Sequence, residues 1–506
     1  MVSSDLKYFN QAISKGSNYI PIYESWPADL ETPLTTWLKI ADKHQKGVLL
    51  ESVEGGENIG RWSIVGFDPK WTAQSKGDST HRVWRDGKVE EESGNPLILL
   101  KGWMSKYKSI ELDGLPSVGQ LYGMWGYELI QWIEPVVKCN KNQSEDFPDG
   151  QWMFFDKLIV FDQLKRVITA IVYADINGIE EKEFPNIFRS SCLSLSEIKM
   201  QMSKELPLVK PLAWDMNSNQ EITYKSNWIR SDFERAVLDA KEYISKGDVF
   251  QLVLSQKFHA KVNNSPFEIY RSLRMVNPSP YMSFFNFGDW YLIGSSPEVM
   301  VKAQKMKDNK FIASLKPIAG TRPRGKNNLI DNQLKDELIN DPKEVAEHVM
   351  LVDLGRNDLG RVCETGSVKV KDLMSIEKYS HVMHIVSEVE GILKPGMDVW
   401  DLLKATFPAG TVTGAPKIKA MQLINLLEKD ARGPYSGIYG SIDINGSLNT
   451  AITIRTMILS PLQGGGYNIY AQAGAGIVAD SSPVKEYEET INKARGLFTA
   501  LSCLKG

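Results

Sequence analysis

Residues 472–480 read QAGAGIVAD, a glycine-rich stretch closing an apolar strand-like run, and its reading decides the fold class. Gly474, Gly476 and Ala479 match the GxGxxA spacing of a dinucleotide-binding turn. In a doubly wound α/β fold such a turn opens a βαβ unit, with an acidic residue about 20 positions on, closing the second strand and holding a ribose hydroxyl. No such acid closing a second strand follows here, and a helix entered at Ser482-Pro483 comes next. Nicotinamide binding is therefore set aside, although a turn of this kind can still offer backbone N–H groups to a carboxylate.

The pattern on either side agrees. Strands come in runs: GVLLESVE (47–54), RWSIVGF (61–67), a hairpin about Asp86-Gly87, KLIVFDQLKRVITAIVYAD (157–175) and DVFQLVLSQKF (248–258), with further hairpin signals at Asn445-Gly446 and Gly464-Gly465-Gly466. Helices interrupt them without a regular βαβ beat, which argues for α+β architecture. Residues 203–228 are polar and proline-containing, so the chain is divided into regions 1–215 and 216–506. The second region opens with an expected helix, capped by Ser231 and Glu234, carrying Phe233, Val237, Ala240 and Ile244 at helical spacing and stopped by Gly247.

The chain has 506 residues, 42% apolar and 24% charged, with a net charge of -3. Nothing in that balance favours nucleic acid or disorder. Cys139, Cys192, Cys363 and Cys503 are scattered without zinc spacing, which suits a reducing cytosol. The first residues lack an apolar targeting core, and no apolar run approaches the roughly 20 residues needed to span a bilayer, so a cytoplasmic protein with no membrane partner is expected.

Two helix starts carry matched acids. DPKEVAEHVM (341–350) puts Glu344 and Glu347 on one face, and SPVKEYEETINKA (482–494) does the same with Glu486 and Glu489. Alone, either pair reads as a solvated helix start complementing the macrodipole. If the helices face each other, four converging acids call for a cation, and carboxylate ligation suits Mg²⁺. His381 and His384 stand three apart, unlike the four-residue spacing common for helical metal pairs. The two arginines of PIAGTRPRG (317–325) would suit a small anion, although Arg322, Arg324, Arg356 and Arg455 could equally be surface charges.

Six blocks in order carry a resemblance: PIAGTRPRG, EHVMLVDLGRNDLGRV (347–362), SHVMHIVSEVEG (380–391), FPAGTVTGAPKIKAM (407–421), RGPYSGIYGSID (432–443) and QAGAGIVADSSPVKEYEETINKARGL (472–497). They resemble the chorismate-utilising enzymes, most closely the large components of anthranilate synthases. That resemblance implies two packed antiparallel sheets flanked by helices, with the active site in a cleft of region 216–506. It implies Mg²⁺ on Glu347 and Glu489, with Glu344 and Glu486 nearby. It places Gly320, Thr321, Tyr435, Arg455 and the backbone of Gly474, Ala475 and Gly476 around chorismate, with Thr411 beside them. Glu298 takes the position of the general acid, and His384 that of the histidine associated with pyruvate elimination.

Two positions direct the chemistry within the family. Relatives that add water carry a basic lysine where this chain has Gln251, and a glutamine cannot take a proton from water. Relatives that make 4-amino-4-deoxychorismate carry a nucleophilic lysine where this chain has Ala319, which has no nucleophilic atom. Ammonia is left as the attacking species, and the resemblance implies a separate glutamine amidotransferase subunit as its source. LLESVE (49–54) and NPSPYM (277–282) match the segments that form a feedback tryptophan site, with Ser52, Pro280, Tyr281 and Met282 in contact with the inhibitor. The rival readings are an aminodeoxychorismate synthase large component and a catalytically silent amino-acid sensor.

Overall fold

The computed structural model describes residues 5–53, 60–112, 114–139, 147–207, 211–218, 222–306, 308–378 and 382–505. Among these, two 12-stranded sheets form, and their strand pairs are antiparallel. The first runs from Tyr19–Pro27 through Gly47–Glu51, Tyr281–Asn286 and Thr456–Pro461 to Tyr467–Ile477 and Gln251–Val262. The second runs from Ile318–Pro323 and Val382–Ile392 through Ile438–Ile442 and Leu121–Trp125 to the hairpin of Ser79–Trp84 and Val89–Ser93. Each sheet takes strands from both sides of the 203–228 stretch, so regions 1–215 and 216–506 are joined by continuous hydrogen-bonded ladders.

Two-residue alternation assigns the faces. In the first sheet Val48, Val160 and Phe285 point into the core shared with the second, among Trp71, Trp125, Trp152 and Tyr439. Their neighbours Leu49, Ile159 and Phe284 point the other way, into a core closed by helices that include Leu6–Ser14, Phe184–Met202, Pro266–Val276 and Pro483–Ser502. Burying a large apolar side chain is worth about 1.5–3 kcal/mol, so these two layers account for the packing of sheet on sheet and helix on sheet.

Three local expectations need correction. The helix Arg230–Ser245 has Ile229 at its N-cap and no side-chain cap, so Ser231 and Glu234 form no capping box. Trp228 fixes the approach instead: its indole N–H donates to Ser255 O at 3.0 Å and its backbone N–H to Ser226 Oγ at 3.0 Å, while Glu234 accepts from Arg230. QAGAGI belongs to the strand Tyr467–Ile477 and is not a turn. Arg322 is held by Glu337, Asp341 and Glu344, and Arg324 by Asp331, so the arginines of PIAGTRPRG do not serve a ligand. The four cysteines are unpaired, and no described helix is long and apolar enough to cross a membrane.

Candidate active site

Gln251–Val262 pairs with Tyr467–Ile477, setting Val253 opposite Gly476 and Ser255 opposite Gly474. A Cβ on Gly474 would stand 2.6 Å from the Tyr435 hydroxyl, and one on Gly476 would stand 2.7 Å from Gln251 Nε2. Bare backbone is what lets these side chains close over the strand. The next strand, Thr456–Pro461, pairs only as far as Ala471, so beyond it one edge of the glycine segment has no strand neighbour among the described residues. That edge faces a cavity of about 560 Å³, and Lys493 Nζ donates to Gly474 O there at 2.9 Å. The Ala475 side chain turns away into an apolar cluster with Leu252 and Leu254, so only its backbone is left for the cavity side.

The helices Pro342–Val362 and Pro483–Ser502 bring Glu344, Glu347, Glu486 and Glu489 to this one cavity. Glu347 accepts from Gln251 Nε2 at 3.0 Å, Glu344 from Arg322 Nη1 at 3.1 Å, and Glu489 pairs with Lys493 at 2.8 Å. Burial raises the pKa of Glu347; the Gln251 hydrogen bond opposes the rise, while Glu344 and Glu489 add to it. Burial likewise raises Glu486, with Glu489 adding to it. Acids raised by burial and by neighbouring carboxylates in this way favour a shared cation. No three such groups among the described residues close into a finished metal shell, so an ion here would take further oxygens from water or from a bound carboxylate.

Cationic and hydrogen-bonding groups line the same cavity as the acids. Arg455 holds a left-handed backbone, φ 51°, and its guanidinium, its pKa lowered by burial, donates to Lys493 O. Gly320 sits at a bulge with φ 72°, where a Cβ would meet Leu338 and Glu344 at 3.0 and 3.1 Å. His384 Nδ1 lies 3.0 Å from both Gly320 O and Thr321 Oγ1. With Nδ1–H donated to that carbonyl, Nε2 carries the lone pair, and burial lowers the ring's pKa so that it is neutral at pH 7.

Glu298 is buried at the same cavity, and burial pushes its carboxyl up to about 7. Thr411, whose Oγ1 is buried beside it, and Lys493 oppose that rise. Ala319 and Gln251 also line the cavity, one without a polar side-chain atom and the other tied to Glu347. The structure thus gathers every residue expected at the site except the Ala475 side chain; His381 lies outside the described residues. Sequence reasoning missed Lys493, Asn492 and Gln472, which also line the cavity. Asn492 and Lys493 stand three and four residues beyond Glu489, so helical spacing from the acids was the available signal.

A second cavity, about 490 Å³, joins segments more than 200 residues apart. Ser52, Pro280, Tyr281 and Met282 line it together, and Val53 N–H donates to Ser279 O at 3.2 Å. The Ser52 hydroxyl is buried there without a hydrogen bond. Glu51 is neutralised by Arg274 and also accepts from Tyr270 at 2.6 Å. Glu54 lies outside the described residues.

Comparison with known proteins decides the family, since chorismate-binding enzymes match residues 46–499. The chain belongs to the chorismate-binding enzyme family. Among members of this family it is 52% identical to anthranilate synthase component 1 of Synechocystis sp. over the whole of both chains. It is 42% identical to the component 1 of Pseudomonas putida, covering 98% of this chain and 97% of the relative. The crystal structure of anthranilate synthase component I from Streptococcus pneumoniae superposes with a TM-score of 0.74 at 36% identity, over 87% of this chain and 92% of that one. A menaquinone-specific isochorismate synthase from Escherichia coli shares the fold at 17% identity and TM-score 0.68.

Proposed function

We propose that the chain is the large component of an anthranilate synthase, converting chorismate and ammonia to anthranilate, pyruvate and water through aminodeoxyisochorismate. One observation carries this reading: Glu298, held near neutrality, faces a cavity that sets four carboxylates against Arg455 and lacks a lysine at both Gln251 and Ala319.

Chorismate brings two carboxylates. Arg455 offers one a planar fork, with Tyr435, Thr321 and the backbone at Gly320, Gly474 and Gly476 holding its surroundings. Glu347 and Glu489 would hold Mg²⁺ for the ring carboxylate, with Glu344 and Glu486 acting through water. Bound there, the ion supplies Lewis-acid pull on the ring and fixes its orientation. Glu298 gives its proton to the leaving C4 hydroxyl as ammonia bonds to C2, and Thr411 borders that carboxyl. His384, which lines the cavity and is neutral at pH 7, is suited to take the C2 proton as the enolpyruvyl group leaves C3. Gln251 can only donate to Glu347 or accept, and Ala319 cannot attack C2, which disfavours water addition and the 4-amino product.

Ammonia would come from a glutamine amidotransferase subunit in the cytoplasm. Tryptophan would inhibit through the cavity of Ser52 and Pro280–Met282, so that region 1–215 contributes regulatory elements and region 216–506 the chemistry. Purified chain with chorismate and Mg²⁺ should turn over with ammonium salt, and with glutamine only when that subunit is added. Glutamine-driven turnover by the chain alone would overturn the assignment.

A further inference from the structure

Behind the cavity wall lies a buried ion pair that the chemistry above does not use. Glu428 and Arg432 are 6% and 2% exposed. Arg432 donates to Glu428 from Nε at 2.9 Å and from Nη2 at 2.7 Å. Its remaining N–H groups go to Val253 O at 2.8 Å, Val412 O at 2.7 Å and Ser436 Oγ at 3.1 Å. All five donors of the guanidinium are therefore engaged. Tyr127 and Tyr435 border it, with ring centroids 5.0 and 5.5 Å away.

The acceptors belong to separate walls of the cavity. Val253 is on the Gln251–Val262 strand, Val412 follows Thr411 in the short turn Gly410–Val412, and Ser436 follows Tyr435. Ser436 holds φ 64°, a left-handed backbone that serine rarely adopts. Glu428 extends the tie by accepting from Ser255 N–H and Oγ–H, both at 2.8 Å, and Ser255 Oγ accepts from Gln472 Nε2 at 2.8 Å. Val253, Val412, Tyr435 and Gln472 all face the cavity, whereas Arg432 does not. Among the described residues, none of the five Arg432 bonds goes to the acid-bearing helix starts.

Replacing a buried pair by well-packed neutral groups is often neutral for stability, so stability alone does not explain a guanidinium bonded in five directions. We infer that Arg432, locked by Glu428, is a positioning residue: it fixes Tyr435, the Thr411–Val412 turn and the Val253 strand in register, and so sets the shape of the chorismate-binding wall. This rests on reading the cavity as the chorismate site. A lysine keeps the charge but has three donors on one atom, so it cannot span Glu428 and three acceptors.

The test is steady-state kinetics with chorismate, ammonium salt and Mg²⁺ on Arg432→Lys, with the paired Glu428→Gln/Arg432→Gln variant leaving no buried charge unpaired. In either variant that folds, as checked by circular dichroism and melting, the chorismate KM should rise about tenfold or more, the equivalent of one 1.4 kcal/mol step. The kcat should fall less than the KM rises, and half-saturation by Mg²⁺ should stay unchanged. A purely structural role would lower the active fraction, and hence kcat, at unchanged KM. That pattern, a wild-type KM in a folded variant, or failure of both variants to fold would overturn the inference. Absence of anthranilate from the parent chain would instead overturn the reading of the cavity.

Discussion

The two large cavities are similar in size and opposite in electrostatics. In the second, the buried acid Glu51 is paired with Arg274 and bonded by Tyr270, Lys302 stands over the Tyr281 ring, and the neutral Ser52 hydroxyl is buried without a hydrogen bond. In the first, the half-buried Glu347 and the buried Glu486 have other carboxylates as neighbours, and burial pushes the Glu298 carboxyl up to about 7. A cavity with compensated charge can recognise a zwitterion at modest desolvation cost. A cavity with uncompensated charge is expensive to maintain, and such sites are where proton transfer and metal binding occur.

Glu298→Gln should break the contrast most sharply, because it removes the only buried proton donor proposed for the C4 hydroxyl. Turnover should fall by roughly 10²–10⁴-fold, the usual contribution of a general acid, with chorismate binding retained. The sign of the pH effect follows from the raised pKa. The protonated form is the active one, so at constant free ammonia kcat/KM should be flat at low pH and decline through about 7, where the carboxyl ionises. A parent enzyme whose rate keeps rising through that range would remove Glu298 from the role.

Glu347→Gln or Glu489→Gln should come next, losing about 10²-fold at limiting Mg²⁺, since a bound ion supplies several kcal/mol of charge stabilisation. Melting temperature should hold or rise in Glu347→Gln, because a half-buried acid beside other acids is removed. Near-parental rates at limiting Mg²⁺ in both variants would return these helix starts to the solvated caps they resemble singly. Ser52→Trp should have the smallest effect on turnover, within about twofold, while abolishing inhibition by tryptophan; because coupling is reciprocal, chorismate should weaken tryptophan binding in the parent. Equal inhibition of both proteins would detach the second cavity from regulation.

The sequence announced local features well. Pro342 and Pro483 start helices, and the Asp86-Gly87, Asn445-Gly446 and 464–466 turns join hairpins, because each depends on residues a few positions apart. Sheet order was not legible. The continuous apolar run of Gly47–Glu51 marks a strand buried on both faces, yet nothing in it names Tyr281–Asn286 as the neighbouring strand. The same limit applied to the acids, since spacing put each pair on one helix face and only tertiary structure brought both faces to one cavity. Ser231 failed as a cap because anchoring Trp228 outweighed a local preference worth about 1 kcal/mol. Arg322 and Arg324 misled because a basic pair beside a glycine turn reads alike whether its acids come from a ligand or from the following helices.

In the proposed reaction this cavity expels the C4 hydroxyl of chorismate as ammonia bonds to C2, and then expels pyruvate. The most direct measurement is product stoichiometry from the purified chain with chorismate, ammonium salt and Mg²⁺, following anthranilate by fluorescence and pyruvate by an enzymatic assay. One anthranilate and one pyruvate are expected for each chorismate consumed, dependent on Mg²⁺. Isochorismate, or a 4-amino product formed without pyruvate, would contradict it.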